Sequence, residues 1–361
     1  MRIMVYLCML FLLTACVGDV DQGQRKDTES VPVQDSLAVK AIEVANPVNP
    51  EVVGWFDSDH ILYNVSEGNG KSSLFRHHLY NGESTLFASF NGIIEAVYPN
   101  ENYSLFAVKV SESYAEKTLF IVDEHGTETL SKSIEGVDFS FSWNPYEDTT
   151  AALGILDETF NTQLYMIHLG GEEWETVMDF PYYSQWVGKE KLAYLNWQDN
   201  PYGFKAPLNE WHVASPFSSL DSDQRLHDEV IMFYGLSSDY YLTVSTEEES
   251  RLISRFQLHD LNTKEPLEEW ESPSFMTESG DWWVPELSYQ NNVLYYYEPI
   301  SDNSRFSLVM LEIKSMEKQE LDTFSESSSI EISPDGQFIL TGEKLDILLN
   351  VETDESDFLI P

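Results

Sequence analysis

Residues 330–344 read I-E-I-S-P-D-G-Q-F-I-L-T-G-E-K. Two short alternating apolar runs, Ile330/Ile332 and Phe338/Leu340, flank Ser333-Pro334-Asp335-Gly336. Proline fixes φ at the first corner of a turn and glycine accepts a corner that needs positive φ, so the stretch predicts a β-hairpin. Worn copies of it recur along the chain. Val52, Val53 and Trp55 turn through Asp57-Ser58-Asp59 into Ile61, Leu62 and Tyr63, and Val97-Tyr98 turns through Pro99-Asn100 into Leu105-Phe106. Phe139, Phe141 and Trp143 precede Asn144-Pro145, and Trp186-Val187 precedes Gly188. A weak fifth copy joins residues 231–235 to 240–244, and a sixth joins Leu287 and Tyr289 to Val293-Leu294.

From turn to turn, at Asp57, Pro99, Pro145, Gly188, Ser237, Gln290 and Pro334, the steps are 42, 46, 43, 49, 53 and 44 residues. That is the period of a four-stranded propeller blade. Third strands are predicted at residues 119–122, 164–167, 256–259 and 308–311, with fourth strands at 174–178 and 318–324. Helical periodicity is nearly absent, while Val, Ile, Tyr, Phe and Trp are prominent. The fold class is therefore all-β: a β-propeller of four-stranded blades, seven by this count, or six if one repeat is incomplete or absorbed.

The chain carries 62 acidic and 20 basic residues among 361, a formal net charge of -42. Such a surface excludes nucleic acid, whose binding depends on neutralising phosphates with Lys and Arg, and it disfavours anionic lipid headgroups. The acid excess runs from residue 51 to residue 357 instead of gathering in one tail, which favours adaptation to high salt or alkaline medium over a patch for cations or a basic partner.

Residues 1–15 read as a lipoprotein signal peptide, with Arg2 before an apolar run too short to span a bilayer comfortably. The run ends in Leu13-Thr14-Ala15-Cys16, which resembles the bacterial lipobox, where the cysteine is diacylated and becomes the mature N-terminus. Cys16 is accordingly the predicted lipidation site, and two or more acyl chains give stable anchoring. Cys8 lies in the removed segment, so no disulfide is expected within the mature chain. Residues 16–46 read as a lipidated cysteine and a flexible tether of roughly 30 Å reach, and residues 47–361 as the propeller.

The turn Ser333–Gly336 resembles that of WD40-like and TolB-type propellers. The lipobox, the tether and the opening Gly54-Trp55-Phe56-Asp57 together resemble the YqgU-like lipoproteins of Bacillus relatives. That resemblance implies a six-bladed propeller, against the seven repeats counted. It implies no established activity and carries over no catalytic residues.

The motifs of common enzymes are missing: no Gly-x-Ser-x-Gly, His-Glu-x-x-His, Cys-x-x-Cys or Gly-x-Gly-x-x-Gly occurs. Gly70-Lys71-Ser72 matches the tail of a phosphate-binding loop, but Val65 stands where the motif needs another glycine. The adjacent histidines His77 and His78 would point to opposite faces of a strand and could hardly share a metal. The densest oxygen-rich segment, with Asp221, Asp223 and Asp228, is a weak candidate for Ca²⁺; it lacks EF-hand order and reads better as a solvated acidic loop. No other cofactor is expected.

The fourth repeat departs most from the pattern. Between Leu195 and Leu226 it carries Trp197, Asp199, Tyr202, Phe204 and Trp211, and Trp282 and Trp283 could add to the same surface. Aromatics beside Asn, Gln and Asp on a long loop suit a sugar or peptide; the alternative is that the rings pack between blades. The sequence thus predicts a lipid-anchored module on the extracytoplasmic face of the cell membrane, binding or assembling a protein, peptide or envelope glycan. The competing class is an envelope polysaccharide hydrolase or lyase with carboxylates in the central funnel, and it would need two perturbed acids in one pocket.

Overall fold

The second strand of each repeat is an apolar run because both of its faces are covered. The computed structural model of the protein describes residues 38–43, 49–68, 70–113, 116–171, 174–178, 180–197, 203–213, 224–236, 239–247, 251–300 and 305–360. These contain seven four-stranded antiparallel sheets, each built from consecutive strands and ordered as they occur in the chain.

Blade 1 is β1 (Pro50–Asp57), β2 (His60–Ser66), β3 (Lys71–His78) and β4 (Ser84–Asn91); blade 2 is β5 (Ile93–Pro99), β6 (Leu105–Ser113), β7 (Glu116–Asp123) and β8 (Glu128–Glu135). Blade 3 is β9 (Asp138–Trp143), β10 (Thr150–Leu156), β11 (Thr162–His168) and β12 (Glu175–Met178); blade 4 is β13 (Ser184–Gly188), β14 (Lys191–Leu195), β15 (Ala206–His212) and β16 (Gln224–Val230). Blade 5 is β17 (Met232–Gly235), β18 (Tyr240–Ser245), β19 (Ile253–Asp260) and β20 (Pro266–Pro273); blade 6 is β21 (Leu287–Gln290), β22 (Val293–Pro299), β23 (Phe306–Glu312) and β24 (Glu317–Phe324). Blade 7 is β25 (Glu331–Ile332), β26 (Phe338–Thr341), β27 (Ile347–Asn350) and β28 (Ser356–Phe358). All seven hairpins predicted from sequence form the first two strands of a blade, the weak fifth copy included.

Successive side chains of a strand point to opposite faces, and in this ring each face meets a neighbouring blade. In β6, Phe106, Val108 and Val110 pack toward blade 1, while Ala107 packs toward blade 3. In β22, Leu294 and Tyr296 join the core shared with blade 5, and Tyr295 and Tyr297 the core shared with blade 7. Seven apolar clusters result among the described residues, one at every blade-to-blade interface. The seventh joins Val52, Trp55, Ile61 and Tyr63 of blade 1 to Phe338, Leu340 and Leu348 of blade 7, and so closes the ring.

Closure uses no strand shared between the first and last blades. β1 pairs only with β2, and β25–β28 form blade 7 as a sheet of their own. Side chains and the backbone of the segment ahead of β1 make the closure instead. The Trp55 indole Nε1 donates to the Glu331 carbonyl at 3.1 Å, and the Ile42 amide donates to the Leu359 carbonyl at 2.7 Å. Ile42 is buried in the closing cluster and the Lys40 amide bonds the Leu79 carbonyl at 2.7 Å, so the folded unit begins at Ala38.

Candidate functional site

In a four-stranded meander the turn after the first strand and the turn after the third lie at one end of the blade. The loops after the second and fourth strands lie at the other end. The first-strand turns gather around the axis and surround a cavity of about 700 Å³. Its wall comes from the ends of β1, β5, β9, β21 and β25 and from the turns that follow β5, β9 and β25.

The tryptophans of this wall are held by the neighbouring blade. Trp143 Nε1 donates to the Tyr98 carbonyl at 2.8 Å, repeating across blades 3 and 2 what Trp55 does across blades 1 and 7. Just beyond, Trp186 Nε1 donates to the Ser142 carbonyl at 3.2 Å. Gln290 Nε2 donates to the carbonyls of Ser333 and Pro334, both at 3.1 Å. Each indole satisfies its one donor this way while its ring packs in the core between blades.

Glu331 is the charged group of the wall that the fold encloses. Ile330 and Ile332 pack toward blade 6, so strand alternation turns Glu331 toward blade 1. There it meets Gly54, at a bulge in β1 where φ is +133° and where an added Cβ would lie 2.7 Å from Glu331 Oε2. Protein surrounds the carboxyl while the cavity keeps one side of it wet. Burial pushes it up to about 7, against the Trp55 backbone N–H, which favours the charged form. Tyr103 on the adjacent turn is pushed up to about 12 by burial and then by the charges of Glu331 and Glu101, so its phenol stays protonated. Glu101, the other carboxyl of the lining, stands exposed on its turn. Among the described residues, the wall holds no second enclosed carboxyl to work with Glu331 as an acid–base pair.

A different charge cluster lies at the start of the inner strands of blades 2 and 3. Lys117 Nζ is 2.6 Å from Glu95, Lys109 bonds Asp138, and Tyr182 donates its hydroxyl to Asp138 at 3.0 Å. Burial alone would raise Glu95 and Asp138, but the lysines outweigh it and hold both below their ordinary values. These charges neutralise one another and tie blades 2, 3 and 4 together.

The residues chosen from sequence are scattered. Trp211 lies in β15, 3% exposed, with its ring 5.0 Å from Phe180 in the core between blades 3 and 4. It is a strand residue and not a loop residue, because the fourth repeat's long insertion contains the third strand of its blade. Phe204 and Trp282 do come together, stacked at 5.8 Å and 20°, with Trp282 Nε1 donating to Ser254 Oγ at 2.8 Å. Trp283 turns away and stacks on Phe275 at 5.3 Å, beside Phe306 in the core of blades 6 and 7. Trp197 is 37% exposed. These loops follow second and fourth strands, so they lie at the end of the propeller opposite the cavity.

Cys16, Asp199, Tyr202, Asp221 and Asp223 lie outside the described residues. Asp228 belongs to the outer strand β16, not to a loop; it is exposed, 3.6 Å from Arg225. Among the described residues, no group of three or more His, Cys, Asp and Glu is arranged to hold a metal ion. The residue that sequence reasoning passed over is Glu331. Its signal was present: an acid between two isoleucines on an inner strand, in a ring where Gly54 interrupts another inner strand.

A family model described as the YqgU-like 6-bladed beta propeller domain matches residues 78–342. The match covers blades 2 to 6 whole and only parts of blades 1 and 7, and the structure shows seven sheets. The uncharacterized lipoprotein YqgU of Bacillus subtilis (strain 168) is 22% identical over 356 residues, covering 98% of this chain and 94% of its own. Among solved structures, the uncharacterized protein lmo1340 of Listeria monocytogenes EGD-e aligns with a TM-score of 0.79 at 15% identity, covering 90% of this chain and 98% of that one. The β-propeller domain of the Trilobed protease from Pyrococcus furiosus, described as having an open velcro topology, aligns at 0.57 and 11% identity over 86% of this chain and 98% of its own. At these identities the structures show the shared fold alone.

Proposed function

The chain belongs to the YqgU-like β-propeller family, and we propose that it is a membrane-anchored extracytoplasmic binding or assembly module whose ligand enters the central cavity. One observation carries this reading. The cavity is walled by aromatic rings and amides around a single enclosed carboxyl, which is the composition of a recognition site. Hydrolysis of a glycosidic bond would ask for two opposed carboxyls, and nothing in the wall supplies the second. The lipobox ending in Cys16 supports anchoring, as does the B. subtilis relative, which is itself named a lipoprotein. A protein, peptide or envelope glycan fits the cavity's size and lining. The exposed Trp197 offers a second contact point at the opposite end.

The test uses in-cell crosslinking and pull-down of the lipidated protein. Ser288→Trp fills the cavity from β21, where Leu287 and Tyr289 pack toward blade 5. A variant that still melts cooperatively should lose the captured partner. Capture that persists unchanged would remove the cavity from the function.

A further inference from the structure

We propose that the central cavity recognises a protonated primary amine, an ammonium group on a slender organic chain, with Glu331 as its counter-ion. This rests on the reading of the cavity as the ligand site and names the chemistry of what enters it.

The argument starts from how the fold treats its other sheltered carboxylates. Glu210 takes Lys191 Nζ at 2.8 Å and Lys264 Nζ at 2.6 Å. Glu298 takes Lys318. A carboxylate withdrawn from water is stable only when paired, and in each of these the partner is an ammonium. Glu331 breaks the rule: it forms no ion pair among the described residues, and the cavity wall contains no Lys, Arg or His. The place that a lysine holds elsewhere faces the cavity here.

The surroundings suit a cation. Tyr98 and Tyr103, both part-exposed, line the same space, and aromatic faces attract an ammonium by their quadrupoles. Gly54 makes the seat: the backbone adopts a φ of +133°, which side-chain-bearing residues avoid, and the missing Cβ leaves room for Oε2. The turns around the mouth carry Asp57, Asp59, Glu101, Asp148, Asp239 and Asp335, a field that draws cations inward. A divalent metal is poorly served, since it would ask for several oxygens and one carboxyl is present. The wall's enclosed acid titrates near neutrality when the cavity holds no cation, so binding an ammonium must draw a proton off Glu331, and affinity must climb with pH across that range.

The experiment titrates the full chain in detergent micelles with n-butylamine and with Nα-acetyl-lysine amide, following tryptophan fluorescence, with N-acetylglucosamine as the uncharged control. Both amines should bind and the sugar should not, and affinity should be about tenfold higher at pH 8 than at pH 6, following ionisation of a group near pH 7. Glu331→Gln should abolish the response while melting at or above the wild-type temperature. If that variant does not fold, Gly54→Ala, which presses on the carboxylate, should weaken amine binding instead. Tighter binding of the lysine amide identifies a peptide side chain as the source, and tighter binding of butylamine a small free amine. No response to either amine at tens of millimolar, a response without pH dependence, or one that survives Glu331→Gln would overturn the proposal. If amines fail but Ser288→Trp still abolishes partner capture, the cavity reading stands and only the amine is lost. If capture ignores Ser288→Trp, the cavity reading falls whatever the amines do.

Discussion

Replacing Trp55 with Phe tests whether the ring's closing interface is built like the others. The substitution removes the indole N–H that bonds the Glu331 carbonyl at 3.1 Å, between residues 276 apart in sequence. A carbonyl left without that donor in a buried setting costs about 1–3 kcal/mol. The smaller ring leaves a space in a site where Trp55 is 1% exposed, adding about 1 kcal/mol more. The expected loss is therefore about 2–4 kcal/mol. Trp143→Phe breaks the equivalent bond, 2.8 Å to the Tyr98 carbonyl, at an interface between blades adjacent in sequence, and should cost the same. Urea unfolding followed by far-UV circular dichroism measures both, with the m-value reporting whether unfolding remains a single event. A Trp55→Phe loss near zero beside a full loss for Trp143→Phe would refute the claim that closure is an ordinary blade interface. So would a second transition appearing only in the Trp55 variant.

Acid should destabilise the interface of blades 4 and 5. His259 is held down from 6.5 to about 4 by burial and then by His227, whose ring lies 4.5 Å away and which burial also lowers. Between these two values the unfolded chain binds a proton that folded His259 refuses. Stability is then full above pH 6.5 and is lost as pH falls toward 4, by at most about 3 kcal/mol for this residue. His259→Gln should flatten the melting temperature over that window, and an unchanged slope would refute the assignment. Deleting residues 330–361 strips the partners from two cores at once, those shared with blades 6 and 1, so the truncated chain should show no cooperative melt by calorimetry.

The hairpins were legible because second strands such as β6 and β22 are covered on both faces and read as unbroken apolar runs, set off by turns of fixed chemistry. Blade number followed from counting those turns, and counting gave seven where the family's description gives six. Outer strands were harder. Residues 224–230 read as an acidic loop because β16 is an edge strand with most of its side chains in solvent, and nothing apolar marks it. Trp211 looked like a loop aromatic because the long insertion before it hid the strand it sits on. Glu331 lies inside the hairpin whose turn reveals the fold, yet its neighbours in sequence do not by themselves mark it as a site residue. Its enclosure depends on Gly54, 277 residues earlier, and no local pattern carries that information.

A ring made of consecutive blades with no shared strand imposes an order in time. As the chain is made from its N-terminus, each new blade can stack on the one before it, so six interfaces form between neighbours in sequence. The seventh must wait, because the apolar face of Val52, Trp55 and Tyr63 finds its cover only when residues 338–359 arrive. Until then the growing chain presents two bare hydrophobic faces, and the loop to be closed spans nearly the whole domain. The last step is therefore both the slowest search and the one that removes the sticky surface. The long interval before it is when this protein most needs a chaperone at its side.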